Sequence, residues 1–325
     1  MKKARTILLR EKAREPDVSV VVAAYNAAGF IDRALTSALE QQGVALEVIV
    51  VDDCSADATV AVVQVWTAKD DRVRLISSPA NQGPAGSRNL GIAAARGRWI
   101  AVLDADDAFR DGRLRRLIEI AEMRGAQMVT DNFLFYDADT GRSDGVGLAR
   151  SPDAEVIGPH AFLKGACPFN AESDYGLLKP VFLRAFAEAH GVRYDTRQRH
   201  GEDFRFAFEL LQAGATCLLI REPFYLYTKR DAGLSRTHVD DHSLIASTEE
   251  LAARENVKRD PVLTALFRRR ISRLRTLGAA RKLEPYMARR DYAGALGVLV
   301  SYPRLLPILG ARLLRKIFGV RPADA

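Results

Sequence analysis

The spacing of apolar and polar positions changes several times along the chain, and each change marks an element. Val18-Ser-Val-Val-Val-Ala23 is a β-branched run of the kind a strand covered on both faces requires. Phe30, Ile31, Ala34, Leu35, Ala38 and Leu39 then recur at helical spacing. Leu46 to Val51 is a second strand, closed by Asp52 and Asp53. A helix with an Asp cap is predicted from about Asp57 to Lys69. Val73 to Ile76 is a third strand, and Pro84 to Arg96 is a helix with proline in its first turn. Trp99 to Leu103 is a fourth strand. The repeated strand–helix order predicts a parallel, doubly wound α/β sheet.

Beyond Gly112 the pattern predicts a helix to about Arg124 and a strand at Gln127–Thr130. Residues 137–160, rich in Asp, Gly and Pro, read as an irregular excursion. Leu178 to His190 is predicted helical, as is Asp203 to Gln212, with Phe204, Ala207, Phe208 and Leu211 as its buried stripe. Thr216 to Ile220 is a late strand, and from about Asp240 the pattern is helical and basic. Three regions follow: a basic leader over residues 1–17, a catalytic-size body over 18–237, and a C-terminal helical region over 238–325.

Charge sharpens that division. The chain of 325 residues carries a formal net charge of +7. From residue 251 onward there are 17 basic and 5 acidic residues, a net of +12, while the rest carries 31 basic and 36 acidic residues, a net of −5. The basic character belongs to the tail, which suits an anionic membrane surface. Phe267–Arg275 and Leu305–Phe318 mix apolar residues with Arg and Lys, as interfacial helices do; a helical cap on the body with a solvated basic face explains them equally well. An acidic body without interleaved aromatic and basic residues argues against a nucleic-acid partner. Three scattered cysteines, Cys54, Cys167 and Cys217, give no disulfide framework or zinc site. No apolar run reaches the ~18–20 residues of a membrane span, and the run near Met1 is too short for a secretory signal. The expected location is the cytoplasm, on the inner face of the plasma membrane.

The candidate chemistry lies at strand ends, where doubly wound sheets bind ligands. Tyr25-Asn26, Asp52-Asp53 and the cluster Asp104, Asp106 and Asp107 all fall there. For the cluster two readings stand open: an Asp-rich turn, or hard oxygen ligands for a divalent metal that leaves room for phosphate oxygens. Asn81 to Gly91 forms a Gly-rich turn into a helix, where Gly83 and Gly86 admit a ligand and Arg88 can reach a phosphate. Its spacing departs from G-x-G-x-x-G, against a nicotinamide enzyme. In His200-Gly-Glu-Asp-Phe-Arg205, Asp203 is either a first-turn acid or a general base. Tyr225 to Arg236 gathers Lys229, Arg230, Ser235 and Arg236 around Gly233, as a loop closing over a diphosphate or as a solvated basic loop. His238, just beyond, reads as a surface residue with metal ligation as the lesser alternative.

Taken in order, Val18 to Asn26, Val48 to Asp53, Asn81 to Gly91, Leu103-Asp-Ala-Asp-Asp107 and Gly201-Glu-Asp203 resemble family 2 glycosyltransferases of the GT-A fold. Tyr175-Gly-Leu-Leu-Lys-Pro180 and Gly191 to Asp195 resemble the bacterial succinoglycan and exopolysaccharide enzymes within that family. The resemblance covers residues 18–237. It implies a Rossmann-like, mostly parallel sheet with a C-terminal helical extension, and an inverting transfer from a nucleotide sugar, a UDP-hexose, to a lipid-linked saccharide. It further implies nucleotide-sugar binding by Ala24, Tyr25, Asn26, Asp53, Gly83, Arg88, Asp104, Ala105, Arg230 and Ser235. Asp106 and Asp104 would hold Mn²⁺ or Mg²⁺, and Asp203 would be the base beside Glu202. The Q-x-x-R-W motif of processive members is replaced by Tyr227-Thr-Lys-Arg-Asp, which implies single addition. The competing readings are a sugar-nucleotide-binding protein without transferase activity and a D-x-D phosphatase.

Overall fold

The computed structural model describes residues 15–138, 140–149, 154–170, 172–229 and 240–306. The first half is built as its periodicity predicts. Strands β1 (Val18–Ala24), β2 (Leu46–Asp52), β3 (Val73–Ser77) and β4 (Trp99–Asp104) alternate with helices α1 (Ile31–Leu39), α2 (Thr59–Lys69) and α3 (Gly83–Ala94). β1, β2 and β4 are buried along nearly their whole length, so β-branched side chains pack on both faces. Asp57 accepts from the backbone N–H of Thr59 at 3.0 Å, and α2 begins only at that threonine.

The chain continues through β5 (Ala108–Phe109), α4 (Arg113–Arg124), β6 (Met128–Asp137), β7 (Arg142–Val146), β8 (Glu155–Ile157), α5 (Pro159–Gly165), β9 (Val181–Leu183), α6 (Arg184–Ala189), α7 (Glu202–Gln212) and β10 (Cys217–Lys229). The sheet order is β3-β2-β1-β4-β9-β6-β10-β5, with β7 beside β6 and β8 beside β10. β1 pairs in parallel with both β2 and β4. β9 runs antiparallel between β4 and β6. A largely parallel sheet of this kind is GT-A-like.

Three segments differ from the pattern-based reading. Leu178–His190 is not one helix. Pro180 lacks the N–H a helix needs, Val181 and Phe182 are buried in β9, and α6 starts only at Arg184. The excursion at 137–160 contains β7 and β8. The late strand runs on to Lys229 through a register shift around Pro223, so Tyr225–Lys229 is strand and not loop. Pro223 cannot donate to a ladder, and its carbonyl instead accepts from Arg110 at 2.7 Å.

Helices α8 (Asp241–Ala252), α9 (Glu255–Lys258), α10 (Pro261–Ala288) and α11 (Tyr292–Ser301) complete the described chain. Leu251, Val257, Leu263 and Phe267 join the same core as the sheet. Phe267 meets Phe208 of α7 edge-on at 5.1 Å. Arg270 is buried with its guanidinium 3.6 Å from the ring centre of Phe204. The apolar face of Phe267–Arg275 is therefore spent on the body, which is the cap arrangement, and Arg268, Arg269 and Arg275 turn outward. Most of Leu305–Phe318 lies outside the described residues.

Candidate active site

β1, β2 and β4 end side by side, with Ala24 opposite Asp52 and Ala23 opposite Asp104. The chain leaves β1 for β2 on one side and returns as β4 on the other. That reversal opens a crevice beyond the strand ends.

On the β2 side the polar groups are fixed by backbone. Asp53 accepts from the backbone N–H groups of Gln82 at 2.7 Å and Gly83 at 2.8 Å. Both carboxylate oxygens, expected to face a nucleoside, thus hold the start of α3. Asn26 has a left-handed backbone and ties the end of β1 to the next loop, accepting from the N–H of Ala56 at 2.8 Å. Tyr25 remains 47 % exposed at the crevice, and Ala24 is buried beneath it. Asp52 is buried, with Oδ1 left without a partner among the described residues.

On the β4 side the fixing groups are long cationic side chains. Arg88 reaches Asp104 at 2.7 Å, Glu202 at 2.6 Å and Asp203 at 2.9 Å. Lys179 reaches Asp104 at 2.8 Å and Asp203 at 2.5 Å. Three carboxylates and two cations from α3, β4, α7 and the segment before β9 therefore form one cluster. Asp203 and Glu202 occupy the first turn of α7, whose N-terminal N–H groups favour negative charge. Gly201 precedes them at φ 74°, and a Cβ there would meet Leu244 at 2.4 Å.

Electrostatics separates the acids. Burial opposes the charge of Asp104, yet Lys179 and Arg88 hold its carboxyl well below the usual carboxylate range. Burial and the adjacent Asp203 push Glu202 upward, against Arg88. Burial, with the charges of Asp104 and Asp106, pushes Asp107 well upward. Asp107 accepts from the Tyr225 hydroxyl at 2.7 Å and the N–H of Thr228 at 2.8 Å, so it fastens the turn to β10. Arg33 binds the carbonyl of Asp106 and the hydroxyl of Thr228 from the side of α1.

Arg88, expected near a phosphate, is paired with three carboxylates. Asp104, expected on a metal, has one oxygen on Arg88 and the other on Lys179. Among the described residues no three acids, histidines or cysteines are arranged around a common metal position. Asp106, half-buried beside the buried Ala105, still fits a divalent ion, because Mg²⁺ can be held by one carboxylate, substrate phosphates and water. Arg230, Ser235 and His238 lie outside the described residues.

Lys179, Tyr225 and Thr228 lie in segments singled out from the sequence but are given no role of their own there, and Arg33 is not singled out. For Lys179 a signal existed: one charge in the apolar run Leu177-Leu178-Lys179-Pro180-Val181 requires a buried counter-charge if the run is buried.

Comparison with known proteins fits this geometry. The model of the family described as "Glycosyl transferase family 2" matches residues 19–164. The succinoglycan biosynthesis protein ExoO of Rhizobium meliloti is 42% identical over 294 residues, covering 89% of this chain and 82% of its own. ExoU of the same organism is 31% identical over 96% of this chain and 92% of its own. Among solved structures, S. aureus TarS in complex with UDP-GlcNAc aligns with a TM-score of 0.64 at 18% identity, over 89% of this chain and 92% of that one. The mannosyltransferase PcManGT from Pyrobaculum calidifontis, in complex with GDP-Man and Mn²⁺, aligns at 0.58 and 19% identity, over 93% and 81%. The structural likenesses bear on the fold, and the sequence relatives on the family: this chain belongs to glycosyl transferase family 2.

Proposed function

We propose that the protein transfers one sugar from a nucleotide sugar to a hydroxyl of a lipid-linked saccharide in bacterial exopolysaccharide synthesis. The observation that carries this reading is the placement of Asp203. It stands at the head of α7, and two buried cations join it to Asp104 at the strand-end crevice. The names of ExoO and ExoU support the pathway class. UDP-GlcNAc on TarS and GDP-Man on PcManGT support a nucleotide-sugar donor, and we take a UDP-hexose as the first candidate.

In this mechanism Asp203 accepts the proton of the acceptor hydroxyl as that oxygen attacks the anomeric carbon. The sugar–phosphate bond breaks on the opposite face, the nucleoside diphosphate departs, and configuration inverts. Ala24 and Tyr25 border the nucleoside side of the crevice. Mn²⁺ or Mg²⁺ held at Asp106 would offset the charge that collects on the diphosphate. Release of nucleoside diphosphate from a panel of UDP- and GDP-sugars tests the reading. Asp203→Asn is expected to lower turnover by about 10²–10⁴-fold with the fold retained; wild-type turnover in that variant would remove Asp203 as the base.

The setting proposed is the inner face of the plasma membrane. Arg268, Arg275 and Arg304 line a groove of about 430 Å³ with Tyr302 and with Glu249, which pairs with Arg275 at 2.6 Å, and Tyr292, Leu296 and Val300 are exposed at helical spacing on α11. Exposed apolar side chains together with arginines in one C-terminal region suit an anionic leaflet. Flotation with anionic vesicles, and none with zwitterionic ones, is the expected result; equal recovery with both contradicts it.

A further inference from the structure

Lys179 has no role in the transfer as described so far, yet its ammonium is nearly as buried as Arg88 and touches the two carboxylates that matter most. It lies 2.8 Å from Oδ2 of Asp104 and 2.5 Å from Oδ2 of Asp203. Arg88 spans the same two residues through their Oδ1 atoms. Asp104 and Asp203 are thus joined twice, once by each cation, although one ends β4 and the other begins α7.

The main chain at Lys179 is itself fastened from below. Its carbonyl accepts from Arg113 at 2.7 Å. Arg113 is paired with Asp131 at 2.7 Å, and neither side chain is exposed at all. The guanidinium of Arg113 packs 4.5 Å from the ring centre of Phe109 and 5.2 Å from that of Tyr225. Pro180 follows at once and leads into β9. A fully buried ion pair, an aromatic clasp and a proline therefore fix where the Lys179 side chain starts.

We propose that Lys179 is a positioning residue of the transfer reaction: a fixed cation that sets the spacing between the donor-side carboxylate Asp104 and the base Asp203. This rests on the reading of Asp203 as the base. Lysine suits the task because its ammonium is a compact point charge with three donors, able to serve two acceptors at once. Without Lys179 the Oδ2 of each aspartate loses its cation, Oδ1 of Asp203 keeps an ion pair with Arg88 but no hydrogen bond, and the repulsion between the two acids is less offset. The reacting hydroxyl meets a displaced base, and displacement of about 1 Å is enough to cost roughly 10²-fold in rate.

The test measures nucleoside diphosphate release from the UDP- or GDP-sugar that the wild type turns over, with Lys179→Met, Lys179→Gln and Lys179→Arg compared. The Met and Gln variants are expected to lose kcat by roughly 10²-fold while KM for the donor and the affinity for the free nucleoside diphosphate hold. Lys179→Arg, which keeps the charge but not the compact geometry, is expected to recover only a small part of kcat; full recovery would show that charge alone suffices and overturn the positioning role. Should Lys179→Met not fold, judged by thermal unfolding, Lys179→Gln carries the same comparison. A loss confined to KM and nucleotide affinity would make Lys179 a donor ligand and overturn the proposal. Equal kcat in the Gln variant and the wild type would overturn it too. A wild-type rate in Asp203→Asn, or no turnover by the wild type, defeats the reading of the base itself and this proposal with it. Loss in Asp203→Asn with none in Lys179→Gln defeats only the positioning role.

Discussion

At the edge of the sheet where the strands begin, Glu47 faces Arg74 and Arg96; at the edge where they end, Asp104, Glu202 and Asp203 face Arg88 and Lys179. The first edge has more cations than acids, and the second has more acids than cations. Glu47 is buried but its arginines are 37% and 60% exposed, so their charge stays largely in water. Arg88 and Lys179 are 3% and 6% exposed, so theirs does not. Around Glu47 the supporting bonds also come from near neighbours of the fold: the Ser19 hydroxyl at 2.7 Å and the backbone N–H of Arg96 at 2.7 Å. Gly97 completes that corner, since a Cβ there would meet the backbone N of Ser19 at 2.4 Å. One edge is therefore a solvated brace. The other holds excess negative charge in a buried place, faced by two buried cations and the N-terminus of α7.

The comparison is broken most easily at Arg88. Removing it with Arg88→Met leaves three carboxylates against Lys179 alone. Breaking a buried ion pair from one side costs about 3–5 kcal/mol, and that is the loss expected in urea unfolding at pH 7. A loss under about 1 kcal/mol, the size of a surface pair, would mean that water already screens this cluster.

A smaller effect is expected at Glu47, and its pH dependence has a definite sign. Burial works against the charge of Glu47, but the Ser19 hydroxyl, the Arg96 N–H and both guanidinium groups hold its carboxyl below the ordinary range. A carboxyl lowered by folding stabilises the folded state above its unfolded pKa, and the contribution disappears as pH falls through the folded value. Glu47→Gln is expected to cost about 1–3 kcal/mol at neutral pH. The difference from wild type should shrink below about pH 4.3, where the unfolded glutamate protonates. Chemical unfolding at pH 7 and at lower pH checks both size and sign. A difference that grows in acid would contradict the brace.

The two edges also differ in how far they could be read from sequence. β1 was legible as a β-branched run closed by Tyr25-Asn26, β2 and β4 as apolar runs that end in turn-forming acids, and α3 because Pro84 marks its first turn. The same cues placed Asp104 at the crevice, and the family resemblance added Arg88 and Asp203 to it. What Arg88 does there was not legible. A Gly-rich turn before a helix suggests a phosphate, whereas the partners that claim the guanidinium are fixed only when α7 folds against α3. β9 escaped because three residues carry no periodicity, and its loss took Lys179 with it. The extension of β10 through Pro223 escaped because a proline inside an apolar run signals an end, while the bulge that accommodates it depends on Arg110. Local chemistry marked the strand ends; the cluster that joins them is a product of topology.

The smallest effect belongs to Arg96. Its guanidinium lies 2.8 Å from Glu47 but is 60% exposed, and its backbone N–H, which truncation leaves in place, makes an equally close bond to the same carboxylate. Arg74 continues to pair with Glu47 at 3.0 Å. Arg96→Ala is thus expected to cost about 0–1 kcal/mol, and less in about 1 M salt, where the screening length falls to about 3 Å. Urea unfolding at low and high salt measures it. A loss as large as that of Arg88→Met would show that the brace depends on its exposed charge, and the contrast between a solvated edge and a buried one would no longer account for the difference between the two clusters.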